Sequence, residues 1–495
     1  MLTNTNFRIS DPSDYTESEA RAIIMNELRL TKNSGGTWIV NQEFRTDNEL
    51  ATRFVDENNR KMRYVIEWKK WLVWDGKRWQ VDSGETILLR LARCFANELW
   101  DIFRLIAQSD MDRDEISQCR TFCKSSNKNC GIEAFLNLAR ADERIAVRVK
   151  DLNKYPHLLN LQNGTFDFIA GEFREHNQDE LLTQIANVHF DEHAVAQRWI
   201  EAIGLIFSND AELIRYVQQL LGYSLTGDTG EHILPIAYGN GFNGKSFTWN
   251  VVLYLLGEYA GLANETLLMG DKNTHPTEKA FLYQKRFVPI SEPEQSARLR
   301  ESRVKELTGD GTITARRMHE DFWSFSRTHT FWLSTNHLPQ ITGNDDGIWR
   351  RVKLIPFVVD LRKVTIPIPD LDKILVESEA AGILNWMIAG YIDYMQHGFV
   401  EPECVKAATG DYRAQEDELV TFVAECCVVG PQYIVASKKL YDAYGQWGGK
   451  ATRIVFGKKM AERFKKDEPT AGEFRKQAIF HGVALASNEQ EHDQF

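Results

Sequence analysis

The stretch HILPIAYGNGFNGKSFTWNVV, from His232 to Val252, limits what this chain can fold into more than any other. Its opening apolar run ends in glycine and reads as a buried strand. Apolar residues resume at helical spacing in SFTWNVVLYLL, with a bulky face that needs a sheet to cover it. Between the two lie Gly239, Asn240, Gly241, Phe242, Asn243 and Gly244, so the unit is a strand, a flexible loop and a helix N-terminus. Gly239, four residues, and then Gly244-Lys245-Ser246 fit the phosphate-loop pattern. Glycines let backbone N–H groups approach phosphate oxygens with no Cβ in the way. A helix starting near Gly244 aims its unpaired N–H groups and positive dipole end at the same anion. Lys245 is placed to bridge the β- and γ-phosphates, and Ser246 to offer a hydroxyl to Mg²⁺. An ordinary glycine turn is the plain alternative. The pattern points to a nucleoside triphosphate, without saying what its energy is used for.

With 495 residues, the chain exceeds one hydrophobic core and is expected to divide into three or four domains. Its net charge of −11 advertises no global positive field, which argues against a chromatin-like binder. A ring that touches a nucleic-acid backbone through a few channel residues stays compatible with an acidic exterior. No apolar run approaches the length of a membrane span, and MLTNTNFRISDPSD is not a signal peptide. Seven scattered cysteines, an odd number, suit a reduced cytoplasmic setting better than a disulfide framework. Cys119, Cys123 and Cys130 lack zinc-ribbon spacing, and a polar helix end followed by a loop is the better reading.

Residues 1–45 read as a polar extension with one helix around SEARAIIMNELRL; the expected domains then cover 46–200, 201–400 and 410–495. In YVIEWKKWLVWDGKRWQVD, the Asp75-Gly76 pair predicts a hairpin, supplying the positive φ angles of a tight turn. Trp68, Trp71, Trp74 and Trp79 have the chemistry to stack on single-stranded bases, but the core of a small β-unit is the commoner use of such a cluster. Residues 84–150 are mostly helical in pattern, a second hairpin is expected in NLQNGTFDFIAGEFREH, and helices again from about 195 to 230. After the loop and its helix come the strand KRFVPISE, the hairpin-like GTITARRMHEDFWSF, and the strands THTFWLSTN and RVKLIPFVV. The predicted fold is an α/β phosphate-loop sheet with a hairpin inserted before its fourth strand. From about 415 onward, two or three helices and a short terminal strand pair are expected. Lys450–Phe480 holds nine Lys/Arg against four Asp/Glu, which suits a small winged-helix domain or a solvated helix surface.

Triphosphate hydrolysis also needs an acid at a neighbouring strand end to hold Mg²⁺ and align water. Glu292 follows an apolar run directly and is the favoured carboxylate, with Glu294 a weaker second. Asn336 ends the next strand, 44 residues later, where its amide is expected between the phosphate loop and the acidic strand. Arg350 and Arg351, 14 and 15 residues further on, precede an apolar strand, so at least one is expected on the domain rim. A rim arginine reaching a neighbouring subunit's γ-phosphate is an arginine finger; surface ion pairing is the alternative.

YGNGFNGKS, RFVPISEPE, KELTGDGTITARR, FWLSTNHLP and GIWRRVKLIPF occur together and in order, and this set resembles the superfamily-three helicases of the phage and plasmid primase-helicase type. That family is related to the poxvirus primase-helicase and the satellite-phage replication primase. WLVWDGKRW and LLNLQNGTFDF resemble its helicase-associated N-terminal region, and DYRAQEDELVTFV and LYDAYGQW its C-terminal winged-helix region, so the likeness spans about residues 45–490. The resemblance implies an AAA+-like sheet flanked by an α+β N-terminal domain and a winged-helix-like C-terminal domain. It implies Lys245 and Ser246 as Walker A, Glu292 as Walker B, Asn336 as sensor, and one of Arg350 and Arg351 as the finger. It further implies a DNA-gripping hairpin within Lys305–Phe325, where Arg316, Arg317 and His319 are the expected contacts. One departure is Leu307-Thr308-Gly309-Asp310-Gly311, where the family commonly has LTGGD. Another is that about 45 residues precede the recognised region, too few for the primase core that many members carry.

The expected function is an ATP- and Mg²⁺-dependent DNA helicase of a phage, plasmid or other mobile element. It would act in the host cytoplasm as a homohexameric ring on single-stranded or forked DNA, with a separate primase or polymerase as partner. The alternatives are a nucleotide-switched ring that recruits or remodels replication or defence proteins, and a packaging motor for double-stranded DNA.

Overall fold

The structure is a computed structural model, and it describes residues 31–32, 38–39, 45–107, 113–269, 276–293, 297–309, 311–316, 322–341, 346–366, 368–416, 418–449, 451–469 and 477–486. The expected helix in SEARAIIMNELRL lies outside these residues, as do Glu294, Asp310, Arg317 and His319.

The chain first builds a small α+β unit. Helix α1 (Asp47–Asn58) is followed by β1 (Met62–Val65), β2 (Lys70–Trp74) and β3 (Trp79–Val81). Helices α2 (Thr86–Ala107), α3 (Arg113–Ser126) and α4 (Asn129–Ala139) come next, and the two-residue β4 (Ala146–Val147) closes a sheet of order β3-β2-β1-β4. The predicted hairpin is β2–β3, with Trp74 opposite Trp79. Its turn differs from the expectation in one respect: Gly76 has a positive φ of +97°, but Asp75 does not. Asp75 instead accepts hydrogen bonds from the Lys77 and Arg78 N–H groups, both at 2.8 Å, an Asx turn that stabilises the bend through its side chain. Trp71 and Trp79 are fully buried and Trp68 nearly so, which makes this cluster a core element. Cys119 and Cys123 also face inward from α3. They belong to a buried helix face rather than the polar helix end expected, and among the described residues no metal-binding cluster exists.

A three-stranded meander of β5 (Leu158–Leu161), β6 (Gly164–Asp167) and β7 (Glu172–Arg174) follows, the second predicted hairpin with one strand more. Helices α5 (Gln197–Ile206) and α6 (Ala211–Tyr223) lead into the central sheet. That sheet contains β8 (Leu234–Tyr238), β9 (Phe287–Ile290), β12 (Thr330–Thr335) and β13 (Val352–Pro356), in the order β9-β12-β8-β13 and parallel throughout. Helix α7 (Lys245–Leu256) follows β8. Between β9 and β12 come helix α8 (Glu301–Thr308) and the hairpin β10 (Thr312–Ala315) and β11 (Trp323–Ser326). The hairpin therefore precedes the third strand of the sheet in chain order, not the fourth.

Each strand buries both faces, which is why its sequence is almost continuously apolar. Ala237, Phe287, Trp332 and Ile355 point to one side, where Trp249, Val252 and Leu256 of α7 pack with α5, α6 and the meander. Leu234, Ile236, Val288, Ile290, Leu333 and Leu354 point to the other. There the hairpin lays down its inner residues Ile313, Ala315, Trp323 and Phe325, while Thr312, Thr314, Ser324 and Ser326 face outward. Trp68 of the N-terminal unit meets Trp323 edge-on at 6.0 Å and Tyr283 at 5.5 Å, so the turn-proximal end of the hairpin's paired strands, where Trp323 faces Ala315, is clamped against that unit. Full burial of each large ring contributes about 1.5–3 kcal/mol. Arg286, completely buried at the entrance to β9, stacks on Tyr259 at 4.3 Å and donates to the Leu158 and Leu225 carbonyls, tying meander to sheet.

Helices α9 (Leu371–Ser378), α10 (Ala380–His397) and α11 (Glu403–Gln415) complete the central body. The final unit has its own core, centred on Phe422, Tyr444, Phe456 and Phe480. It runs α12 (Glu418–Cys426), β14 (Cys427–Ala436), α13 (Ser437–Trp447), α14 (Arg453–Arg463), β15 (Lys466–Asp467) and β16 (Ile479–Leu485), with sheet order β14-β16-β15. The ten-residue β14 departs from the short strand pair expected, because Gly430-Pro431 interrupts its apolar run and sits where the β14–β16 register shifts. No helix among the described residues is long and apolar enough to cross a membrane.

Candidate functional site

The loop from Gly239 to Gly244 sits at the C-terminal edge of the parallel sheet, where ligands of open α/β sheets bind. Two of its glycines are there by necessity. Gly239 has φ +152°, and a Cβ on it would lie 2.0 Å from the Phe357 carbonyl oxygen. Gly244, with φ +90°, is the residue that caps α7, and a Cβ there would strike Ile206 at 2.5 Å. Asn243 is buried and fastens the loop, its Nδ2 donating to the Phe357 oxygen at 2.8 Å. The predicted loop residues thus divide by task. Gly239, Asn243 and Gly244 hold the loop against β13 and α5, while Asn240, Gly241 and Ser246 are exposed.

Lys245 is the first residue of α7 and is only 6 % exposed. Its Nζ donates to the Asn336 Oδ1 at 2.9 Å, to the Thr335 oxygen at 3.3 Å and to the Gly239 carbonyl. Burial pushes the ammonium below its ordinary pKa, and the negative charge of Glu292 works against that shift. Asn336 receives a second tie, since its backbone N–H donates to Glu292 Oε1 at 2.9 Å. Residues that follow three adjacent strands therefore form one chain of contacts, with the Lys245 ammonium on the Asn336 side chain and the Asn336 backbone N–H on the Glu292 carboxylate. Strand order produces it. Because β12 lies between β8 and β9, its terminal amide falls between the loop and the carboxylate, as expected from sequence. Glu292 is exposed and Ser246 lies one residue beyond Lys245, so a hard oxygen donor stands at each end of this group.

The two arginines, equivalent in sequence, are not equivalent in space. Arg351 is buried, its Nε donating to Thr308 Oγ1 at 3.1 Å and its Nη1 to the Gly347 carbonyl. It fastens the end of α8 to the short helix Asp346–Trp349. Arg350 is solvent-exposed. Of the predicted hairpin contacts, Arg316 is half-buried and lies 5.0 Å from the exposed Phe322 ring, across the two arms of the hairpin. Sequence reasoning overlooked Arg362, which belongs to no motif yet lies over the Phe242 ring at 4.2 Å.

Two family models match the chain: one described as D5 N terminal like, over residues 51–208, and a family of unknown function, DUF5906, over residues 237–351. Among curated proteins, the chain is similar to the putative helicase of Acanthamoeba polyphaga mimivirus, 25 % identical over 389 residues, which is 72 % of this chain and 40 % of the relative. It is also 23 % identical over 327 residues to the putative primase of an African swine fever virus isolate, covering 60 % of this chain and 34 % of that protein. The chain thus spans less than half the length of these viral relatives. Among solved structures, the C-terminal region of NrS-1 has a similar fold, with a TM-score of 0.50 at 12 % identity, over 88 % of this chain and 99 % of that one. The chain therefore has a mixed α/β fold like that region, and distant relatives in large DNA viruses.

Proposed function

We propose that this protein is an ATP-dependent DNA helicase of a viral or other mobile-element replication system, working as a homohexameric ring. The observation that carries the proposal is the Lys245–Asn336–Glu292 chain of contacts at the mouth of a glycine-restricted loop. The ammonium and the unpaired N–H groups of α7 would cradle the β- and γ-phosphates. Mg²⁺ suits the donors available: the Ser246 hydroxyl and the Glu292 carboxylate would hold it, and it would supply charge neutralisation on the phosphates. Asn336 would orient the attacking water, with Glu292 polarising it. Arg350, exposed on the rim, is the arginine we assign to the neighbouring subunit's γ-phosphate; Arg351 would keep the rim folded.

The DNA-gripping element is the hairpin β10–β11. It leaves the sheet between the acidic strand and the strand bearing Asn336, and Trp68 and Tyr283 brace Trp323 at the end of its paired strands next to the turn. Rigid bracing of the paired strands would carry small shifts of β9 and β12 to the turn, where Arg316, Arg317 and His319 would meet phosphates. The viral relatives named as helicase and primase support a replication role, and the C-terminal unit, helix-strand-helix-helix-strand-strand, suits a winged-helix domain. The test is strand displacement on a forked duplex with ATP and Mg²⁺. Unwinding that requires both Lys245 and the hairpin is the expected result; DNA-stimulated ATPase without displacement would refute the helicase reading.

A further inference from the structure

Phe242 stands at the crest of the loop with φ +61°, a left-handed conformation that is costly for a residue with a large side chain. The residue is 65 % exposed. Two contacts fix it in that position. Its carbonyl accepts the Leu361 N–H at 2.9 Å, and the Arg362 guanidinium lies over its ring, 4.2 Å from the centroid. Arg362 is itself held by a two-pronged pair with Asp360, with Nε–Oδ1 and Nη2–Oδ2 both at 2.9 Å. A ring covered on one face by a guanidinium, in a residue 65 % exposed, presents its other face to solvent. The crest cannot roll away from this arrangement, because Asn243 is tied to the Phe357 oxygen and Gly244 is pressed against Ile206. A strained, propped and open aromatic face, three residues before Lys245, lies within one nucleotide's length of the phosphate cradle.

We infer that Phe242 and Arg362 form the platform on which the base of the nucleotide stacks, in the order guanidinium, phenyl ring, base. The inference rests on the polyphosphate reading of the loop given above. It also sets the substrate class. Every base has a π-face, so a stacking platform selects by surface area and not by edge pattern. Asp360, the carboxylate that holds Arg362, has both oxygens engaged by it, which removes it as a reader of base edges. The site therefore takes purine nucleoside triphosphates ahead of pyrimidine ones, with little discrimination between ATP and GTP.

Calorimetric titration of the full chain with ATP and with inorganic tripolyphosphate, in Mg²⁺, tests this. Phe242→Gly is the informative variant, because glycine accepts φ +61° without strain and the loop keeps its shape. It should bind ATP about tenfold more weakly, the order expected for one lost stack, and tripolyphosphate as the wild type does. Phe242→Trp should retain ATP affinity and show an emission change with ATP and GTP but not with tripolyphosphate. Equal weakening toward both ligands, or no weakening toward ATP, overturns the platform while leaving the phosphate site standing. A wild-type chain that binds neither ligand overturns the polyphosphate reading and the platform with it.

Discussion

Arg350 and Arg351 are neighbours with identical chemistry, and the structure predicts opposite consequences for their removal. Arg351→Ala deletes two charge-assisted hydrogen bonds in a buried setting, to Thr308 Oγ1 and the Gly347 carbonyl. At about 1.5–3 kcal/mol for each bond to a charged group, the loss is about 3–6 kcal/mol, a large part of a typical total stability of about 5–15 kcal/mol. Arg350→Ala alters an exposed side chain and should change stability by no more than about 0.5 kcal/mol. Its effect should appear in catalysis, where loss of a finger arginine lowers ATP turnover by at least about 10³-fold. Urea denaturation followed by circular dichroism, alongside steady-state ATPase, separates the two. Mixing Arg350→Ala with Lys245→Ala should restore part of the turnover, since mixed rings contain sites in which both residues are intact. If Arg351→Ala folds normally and is inactive while Arg350→Ala turns over ATP, the burial argument has assigned the two residues the wrong way round.

Lys245→Ala should abolish ATP turnover and leave the fold intact, as judged by an unchanged circular dichroism spectrum, because the change removes a desolvated cation at the first position of α7, where alanine is a good helix former. Glu292→Gln should still bind ATP but not hydrolyse it: the amide oxygen can accept the Asn336 N–H, so the loop stays in place, whereas the charge for metal and water is gone. Replacing Arg316 with alanine should weaken single-strand binding and flatten its salt dependence, by a slope of about 0.7 for one phosphate contact, with basal ATPase retained. His329 is completely buried, and desolvation, helped by Arg327, pushes it down to about 3. A histidine depressed from 6.5 in the folded state leaves the unfolded chain binding more protons between these values, so stability falls as pH drops through that window. The cost is about 2 kcal/mol between pH 7.5 and pH 5. His329→Phe should remove that part of the acid lability in urea titrations at the two pH values; an unchanged pH dependence would rule His329 out as its source.

Features governed by local chemistry were the legible ones. Four apolar runs ended by glycine, proline or a polar residue became the four parallel strands, and the Asn336 amide fell between the loop and Glu292 as their order required. Asp75-Gly76 and the text NLQNGTFDFIAGEFREH marked two hairpins, although Asp75 contributes a side-chain acceptor instead of a positive φ. Features decided by burial were not legible. Nothing in GIWRRVKLIPF separates Arg350 from Arg351, because the choice depends on Thr308, 43 residues away. The inward turn of Cys119 and Cys123 depends on how α3 packs, and β14 was hidden by the Gly430-Pro431 break in its apolar run.

Lys245 shows why a motif underspecifies even the site it identifies. The spacing of glycines and lysine points to a phosphate ligand but is silent on which other groups the lysine touches. In the structure its ammonium rests on the Gly239 and Thr335 carbonyls and on the amide of Asn336, 91 residues along the chain. In the proposed function, a phosphate bound at the loop would compete with Asn336 for the lysine and would free the Asn336 amide, at the end of a strand whose neighbour leads to Glu292. Residues that sequence treats as separate parts, one for binding and one for sensing, then respond together. Asn336→Ala should accordingly do two things that a purely catalytic role would not combine. It should slow hydrolysis, and it should also tighten binding of tripolyphosphate, because one of the competing partners of Lys245 has been removed.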